Sequence, residues 1–298
     1  MTSPQRRLVA PPFVQSRLLS ESGEVVHAFS SRQGGVSRPP FATLNLGQSV
    51  GDDLALVEEN RRRFFVAFGI DSTRIVRAKQ VHGNDVLRVD AGLMRRPGFP
   101  RYLVEEPAEF DAFITELSDV ALVVSTADCL PILIHDPVRR AVAAVHAGWR
   151  GTAQRIAAGA VRAMQAAYGT DPADCRAALG PAIRGCCFEV DEPVMEAMTA
   201  ALPDWEAHAT PTRPGHCRLD LAGVNRAILE GVGVRPDRIE DIGICTTCRT
   251  DLFFSHRGEK GRTGRMMNFI LLRAASHELR AERGAMRPDQ LTDGGWLR

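Results

Sequence analysis

The chain has 298 residues, of which 44% are apolar and 24% charged, with a formal net charge of +1. This is the composition of a soluble globular protein, long enough to bury one large core or two modest ones. A charge so near zero leaves no electrostatic footprint for DNA, RNA or an acidic membrane, and no run reaches the roughly 18 apolar residues of a membrane span.

Seven cysteines, odd in number and spread along the chain, argue against a disulfide framework and for reduced thiols in a cytoplasmic protein. Residues 1–20 contain arginines but no continuous apolar segment. They read as a poorly anchored arm, not a secretory signal. A strand at Val25–Phe29 then runs into Ser30-Ser-Arg-Gln-Gly-Gly, a turn whose glycines permit unusual backbone angles. Asp52 or Asp53 caps a helix that extends to Phe68 and stops at Gly69. Short strands follow at Ile75–Ala78, Val86–Val89, Ala112–Thr115, Ala121–Ser125, Pro131–His135 and Ala141–Val145, with Met94–Pro107 a proline-marked surface loop.

A helix over Gly151–Tyr168 carries Ile156, Ala160 and Met164 on one face and ends at Gly169. Beyond it the pattern predicts a strand at Arg176–Leu179, helices near Glu192–Ala201 and Leu219–Gly231, and strands at Ile239–Ile244 and Met266–Leu272. Such intermixing predicts one α/β domain over residues 21–274, with helices on both faces of a mixed sheet. The 1–20 arm precedes it and a charged tail, residues 275–298, follows.

Chemistry concentrates where apolar strands are interrupted. Cys129 sits in Thr126-Ala-Asp-Cys-Leu-Pro and His146 in Ala144-Val-His-Ala-Gly-Trp-Arg-Gly-Thr. A buried strand gains nothing from an imidazole that needs a partner. His82, in Lys79-Gln-Val-His-Gly, lies between two short strands, so all three can converge at one end of a sheet. Sulfur and nitrogen donors suit zinc, and three ligands with a fourth position open is the catalytic arrangement. A Cys–His pair can also act as a nucleophile without metal, and spacing does not separate the two. The turn Gly148-Trp-Arg-Gly-Thr presents free N–H groups beside Arg150, which suits a phosphate or carboxylate. It also suits a plain helix entry with Thr152 as cap.

Cys245-Thr-Thr-Cys248 is half of a structural zinc site, but no second pair completes it, and the two read as packed thiols. Cys186 and Cys187, being adjacent, are expected to be packing residues that share no metal. Arg257 and Arg265 flank a glycine-bearing loop that could hold an anion.

Together with Ser31-Arg-Gln-Gly-Gly-Val-Ser, Gly180-Pro-Ala-Ile and Thr263-Gly-Arg, these blocks resemble the laccase-domain "polyphenol oxidase" family. Its members are described as zinc-containing purine nucleoside phosphorylases with adenosine deaminase activity, and some as peptidoglycan-editing factors. The resemblance runs in order from Phe29 to Leu272. It implies a single three-layer α/β/α sandwich with a mixed β-sheet, with His82, Cys129 and His146 as metal ligands and catalytic residues. Zinc is the implied metal, although copper could occupy such a site in vitro. The implied partners are a purine nucleoside (adenosine, inosine or methylthioadenosine) and phosphate, bound by a monomer or small homo-oligomer.

Arg32, Lys79, Gln80, Trp149, Arg150 and Arg265 are the expected substrate contacts, and Asp128 the acid/base group. In a regular strand Asp128 would point away from Cys129, so it contributes only if the strand ends or bulges there. The Ser255–Arg265 loop departs from the family pattern by one extra residue and by Gly258. Three alternatives differ in class. One is a copper-dependent phenol oxidase, poorly served by eight histidines with no His-x-His pair. Another is a cysteine hydrolase acting on peptidoglycan precursors through Cys129. The third is a non-catalytic binding module.

Overall fold

Every residue of the strands Leu130–Asp136 and Ala141–Ala147 is buried, because alternate side chains enter two different cores. Ile132, Ile134, Ala143 and Val145 pack with Ile156, Val161 and Met164 of the helix Ile156–Tyr168 and with Val224 and Ile228 of the helix Leu221–Gly231. Leu133, Val142 and Ala144 face the opposite way and meet Phe29, Leu122 and Val124 of another sheet. That sheet's outer face, including Val123, Met267 and Phe269, packs on Phe64 and Phe65 of the helix Leu54–Val66 and on Phe68 just beyond it. The Phe64, Phe68 and Phe269 rings meet edge to face, a geometry worth about 0.5–1.5 kcal/mol per pair beyond burial.

The computed structural model describes residues 11–96, 98–99, 108–274 and 285–286. The mixed α/β class is as expected. The single mixed sheet of a three-layer sandwich is instead two six-stranded sheets stacked face to face, with helices outside each. One sheet runs Ile239–Asp241, Arg176–Leu179, Leu130–Asp136, Ala141–Ala147, Ala112–Thr115, Val86–Arg88 in spatial order. The other runs Ala285–Met286, Phe13–Val14, Val25–Ser30, Met266–Leu272, Ala121–Thr126, Ile75–Val76. Both mix parallel and antiparallel pairs. A small antiparallel sheet of Glu189–Asp191, His216–Leu219 and Ala209–Pro211 stands apart. Its strands are too short and polar to show in the sequence pattern.

Two further expectations change. The helix predicted over Gly151–Tyr168 is broken into Trp149–Ala153 and Ile156–Tyr168, with Arg155 between them in a left-handed conformation (φ 59°). The expected arm is anchored over its described part. Phe13 and Val14 pair with Val25–Ser30, and Phe13, Val14 and Leu19 are buried. The tail beyond residue 275 and most of the 94–107 loop lie outside the described residues, the exceptions being 94–96 and 98–99 in the loop and 285–286 in the tail. Among the described residues no helix is long and apolar enough to cross a membrane.

The chain crosses between the two sheets several times, and its tightest crossing takes three residues. The strand Ala121–Thr126 ends, Ala127-Asp128-Cys129 turns with Asp128 at φ 88°, and Leu130 begins the next strand. That step places Cys129 at the mouth between the sheets.

Two histidines are buried in this frame. His27 Nε2 accepts the Ser16 N–H at 2.9 Å, while neither ring nitrogen of His135 has a hydrogen-bond partner. Burial pushes each down to a pKa of about 4. The unfolded imidazoles take up protons first, so the stability they contribute is complete above the ordinary value of 6.5 and is lost as pH falls towards 4. Calorimetry is expected to show Tm falling through that window, with a shallower fall in His135→Gln. A Tm flat from pH 7 to 4.5 would contradict the burial of neutral imidazoles.

Candidate functional site

In the register of the two buried strands Leu130 pairs with Ala147 and Pro131 with His146. His146 continues the face of Val142 and Ala144, which looks into the space between the sheets. Cys129 reaches the same end through the crossing turn. His82 arrives from the segment between Ile75–Val76 and Val86–Arg88, in a left-handed conformation (φ 61°). The donor atoms of His82, Cys129 and His146 all lie within 4.8 Å of one another. Cys129 Sγ is 3.8 Å from His82 Nε2, and the two imidazoles meet edge to face at 4.9 Å.

A residue with no motif of its own holds these groups. Asp111, fully buried, precedes the strand Ala112–Thr115. Its Oδ1 lies 2.7 Å from His146 Nδ1 and accepts the His82 N–H at 3.1 Å. Its Oδ2 accepts the N–H groups of Val81 and Gly83 at 3.1 and 2.8 Å. The His146 N–H in turn donates to the Asp111 carbonyl at 2.7 Å. Burial opposes the charge on Asp111, but His146 and the backbone N–H groups outweigh it and hold its pKa below the ordinary value. With Nδ1 bound to a carboxylate, His146 turns Nε2 to the site, the orientation of a metal-binding histidine.

The donor set fits a metal ion. Two imidazoles and a thiol converge, and Gly148 leaves them room, since a Cβ there would lie 2.9 Å from His82 Cδ2 and 3.1 Å from Cys129 Sγ. Without a metal the same groups act on one another. Burial opposes ionisation of Cys129, but the nearby His146 and hydrogen bonds from both histidines hold its pKa down at about 6. Burial likewise opposes charge on His146, yet Cys129 and Asp111 hold it up at about 9.

The three groups open into a cleft of about 630 Å³. Trp149, Ile183, Phe188 and Leu221 form an apolar side, and Arg61, Arg77 and Arg265 a cationic one. Burial lowers the pKa of all three guanidiniums, that of Arg61 to about 10. Arg61 pairs with Glu58 at 2.9 Å and Arg77 meets the neutral Gln48 at 3.1 Å. Glu58, shared by Arg61 and Arg77, and Asp128 and Cys129 beside Arg265 offset part of this charge, and an anion in the cleft would relieve the desolvated remainder.

Most of the sequence candidates line this cleft. Lys79 does so while paired with Glu109, and Gln80 does so with both ends of its amide bound to the Ser125 backbone. Two candidates lie elsewhere. Arg32 is tied to Glu259, Ala42 and Thr250 beneath a separate surface hollow. Arg150 stacks on the solvent side of Trp149.

Asp128 lines the cleft because the strand ends before it, but its oxygens are engaged. Oδ1 accepts from Thr246 Oγ1 and Oδ2 from the Arg257 N–H, each at 2.6 Å. It positions the 246–257 segment instead of facing Cys129. Arg61 and Arg77 gave no sequence signal, since the run Arg61-Arg62-Arg63 in a helix reads as a solvated charged face and an arginine beside a strand is ordinary.

A further group of side chains departs from expectation. Cys186 and Cys187 do not pack apart from the Cys245–Cys248 pair, and all four thiols lie within 4.8 Å of one another. Adjacent cysteines point apart in a strand, but residues 185–187 form a turn, which lets both reach the same neighbour.

The sequence profile of the family described as multi-copper polyphenol oxidoreductase laccase matches residues 26–273. Over 252 residues the chain is 37% identical to purine nucleoside phosphorylase YlmD of Bacillus subtilis, covering 85% of this chain and 90% of that one. A purine nucleoside phosphorylase of Deinococcus radiodurans is 41% identical over 248 residues, covering 83% and 88%. The crystal structure of YlmD from Geobacillus stearothermophilus superposes with a TM-score of 0.82 at 35% identity, covering 89% of this chain and 97% of that one.

Because Asp111 orients two of the three donors, Asp111→Asn is expected to weaken metal binding about 10–100-fold, read by competition with a chromophoric chelator. An unchanged affinity in a folded variant would show that the carboxylate does not set the donor geometry.

Proposed function

The chain belongs to the multi-copper polyphenol oxidoreductase laccase family, and on that footing we propose that it is a zinc-dependent purine nucleoside phosphorylase. We propose that it acts on adenosine, inosine and methylthioadenosine, with adenosine deamination as a companion reaction, in the cytoplasm, where its free cysteines remain reduced. The observation that carries this reading is the convergence of His82, Cys129 and His146 on a cleft with one cationic and one apolar side.

His82, Cys129 and His146 would hold the ion, and a set of one sulfur and two nitrogens with an open face suits zinc. Bound there, zinc supplies Lewis acidity towards an oxygen in the cleft. The remaining work falls to the chain itself. Asp111 fixes the histidines, so the donors need no rearrangement on binding. Arg77 and Arg265, with Arg61 behind them, would hold phosphate, because an anion relieves their desolvated charge. Trp149 and Phe188 would cover the purine and exclude water. Asp128 is a positioning residue that keeps Arg257 and Thr246 against the cleft.

One observation favours a second reading. The Cys129 thiol, held at a low pKa beside His146, is an activated nucleophile when no metal is present. The same chain would then be a cysteine hydrolase.

Zinc-loaded protein incubated with adenosine, with and without phosphate, separates the readings when adenine, inosine and hypoxanthine are followed by chromatography. The expected result is phosphate-dependent release of adenine, abolished both by chelation and in Cys129→Ala. In Arg77→Gln the KM for phosphate is expected to rise about tenfold or more, equivalent to about 1.4 kcal/mol. Inosine formed without phosphate would show deamination. Activity that survives chelation but is lost on alkylation would favour the thiol reading, and no nucleoside product under any condition would overturn the phosphorylase.

A further inference from the structure

We infer that Cys186, Cys187, Cys245 and Cys248 form a second metal site, a structural tetrathiolate centre for zinc, separate from the cleft and independent of the reaction run there. The four sulfurs come from two segments distant in sequence. Cys248 Sγ lies 3.6 Å from Cys186 Sγ and 3.4 Å from Cys187 Sγ, and all four sulfurs fall within 4.8 Å of one another. A tetrahedral ion with Zn–S bonds of about 2.3 Å requires sulfurs about 3.8 Å apart. The two Cys248 separations fall within about 0.4 Å of that value and no pair exceeds it by more than about 1 Å, so rotamer adjustments suffice to close the cluster on an ion. The Cys-x-x-Cys spacing of one half is usual for such sites.

Other roles suit the cluster less well. Packed thiols belong in a core, yet Cys186 and Cys248 are exposed and Cys187 is only half-buried. Disulfides would have to pair Cys248 with one of two nearly equidistant neighbours, and the reducing cytoplasm proposed above keeps such thiols reduced.

The surrounding backbone is already laid out to receive a staple. The Ala182 N–H donates to the Ile244 carbonyl and the Thr246 N–H to the Ala182 carbonyl. Arg184 grips Asp241 through two hydrogen bonds. The two segments continue into the cleft wall, one through Ile183 and Phe188 and the other through Thr246 to Asp128 and on to Arg257. None of the four cysteines lines the cleft itself. An ion here would lock two loops together behind the binding surface and take no part in the chemistry.

Zinc counting by inductively coupled plasma mass spectrometry, after dialysis against metal-free buffer, tests this directly. The expected stoichiometry is about two ions per chain in the wild type and about one in His82→Ala/Cys129→Ala, which lacks the cleft donors. About one is also expected in Cys186→Ser/Cys248→Ser, together with a lowered Tm. If the serine variant fails to fold, the His82→Ala/Cys129→Ala protein reconstituted with cobalt(II) decides. Intense thiolate-to-cobalt charge-transfer bands of a four-sulfur tetrahedral site are expected from it. The proposal is overturned if that protein keeps no zinc and its cobalt form lacks those bands.

Discussion

A single buried carboxylate organises the candidate site. Asp111 collects the N–H groups of residues 81–83 on one side and the His146 imidazole on the other, while its own backbone carbonyl takes the His146 N–H. Hydrogen bonds to a charged group are worth about 1.5–3 kcal/mol each, and a donor left unmatched in a buried place costs a similar amount. The loop bearing His82 thus has one favourable position, and it lies beside the strand bearing His146. The left-handed backbone of His82 is held by this network, with no regular element to support it.

The stacked sheets supply the other half of the arrangement. Two sheets packed face to face leave an opening wherever their strands end, and the chain crosses from one to the other at residues 127–129. Cys129 sits at that crossing, and the positive φ of Asp128 swings its carboxylate towards Thr246 and Arg257. The same turn therefore delivers a sulfur to the donor set and anchors the far wall of the cleft. Membership of the family accounts for the shared fold, while Arg61, Arg77 and Arg265 build the cationic side of this cleft.

What the sequence made legible followed from pattern. Cys129 and His146 stood out because each interrupts an apolar run, and strands such as Ala112–Thr115 and Met266–Leu272 stood out because their burial is complete. Asp111 was silent because an acidic residue ahead of a strand resembles any loop residue. The number of sheets was hidden for a related reason: a strand buried on both faces reads alike whether its neighbour is a helix or a second sheet. Arg155 breaks a helix with no glycine or proline to announce it. Arg32, beside a suggestive glycine turn, is occupied by Glu259, a partner more than 200 residues away in sequence that local reading could not supply. The approach of Cys186 and Cys187 to Cys245 and Cys248 was hidden because the turn at residues 185–187, which lets adjacent side chains reach one neighbour, leaves no mark in the sequence.

Anomalous diffraction at the zinc edge, from crystals of the zinc-loaded protein, tests the central claim most directly, because it locates each ion separately. The expected result is a peak bounded by His82 Nε2, Cys129 Sγ and His146 Nε2, with its fourth face open to the cleft. A map with no peak among these three residues, or with a fourth protein ligand closing that face, would contradict it.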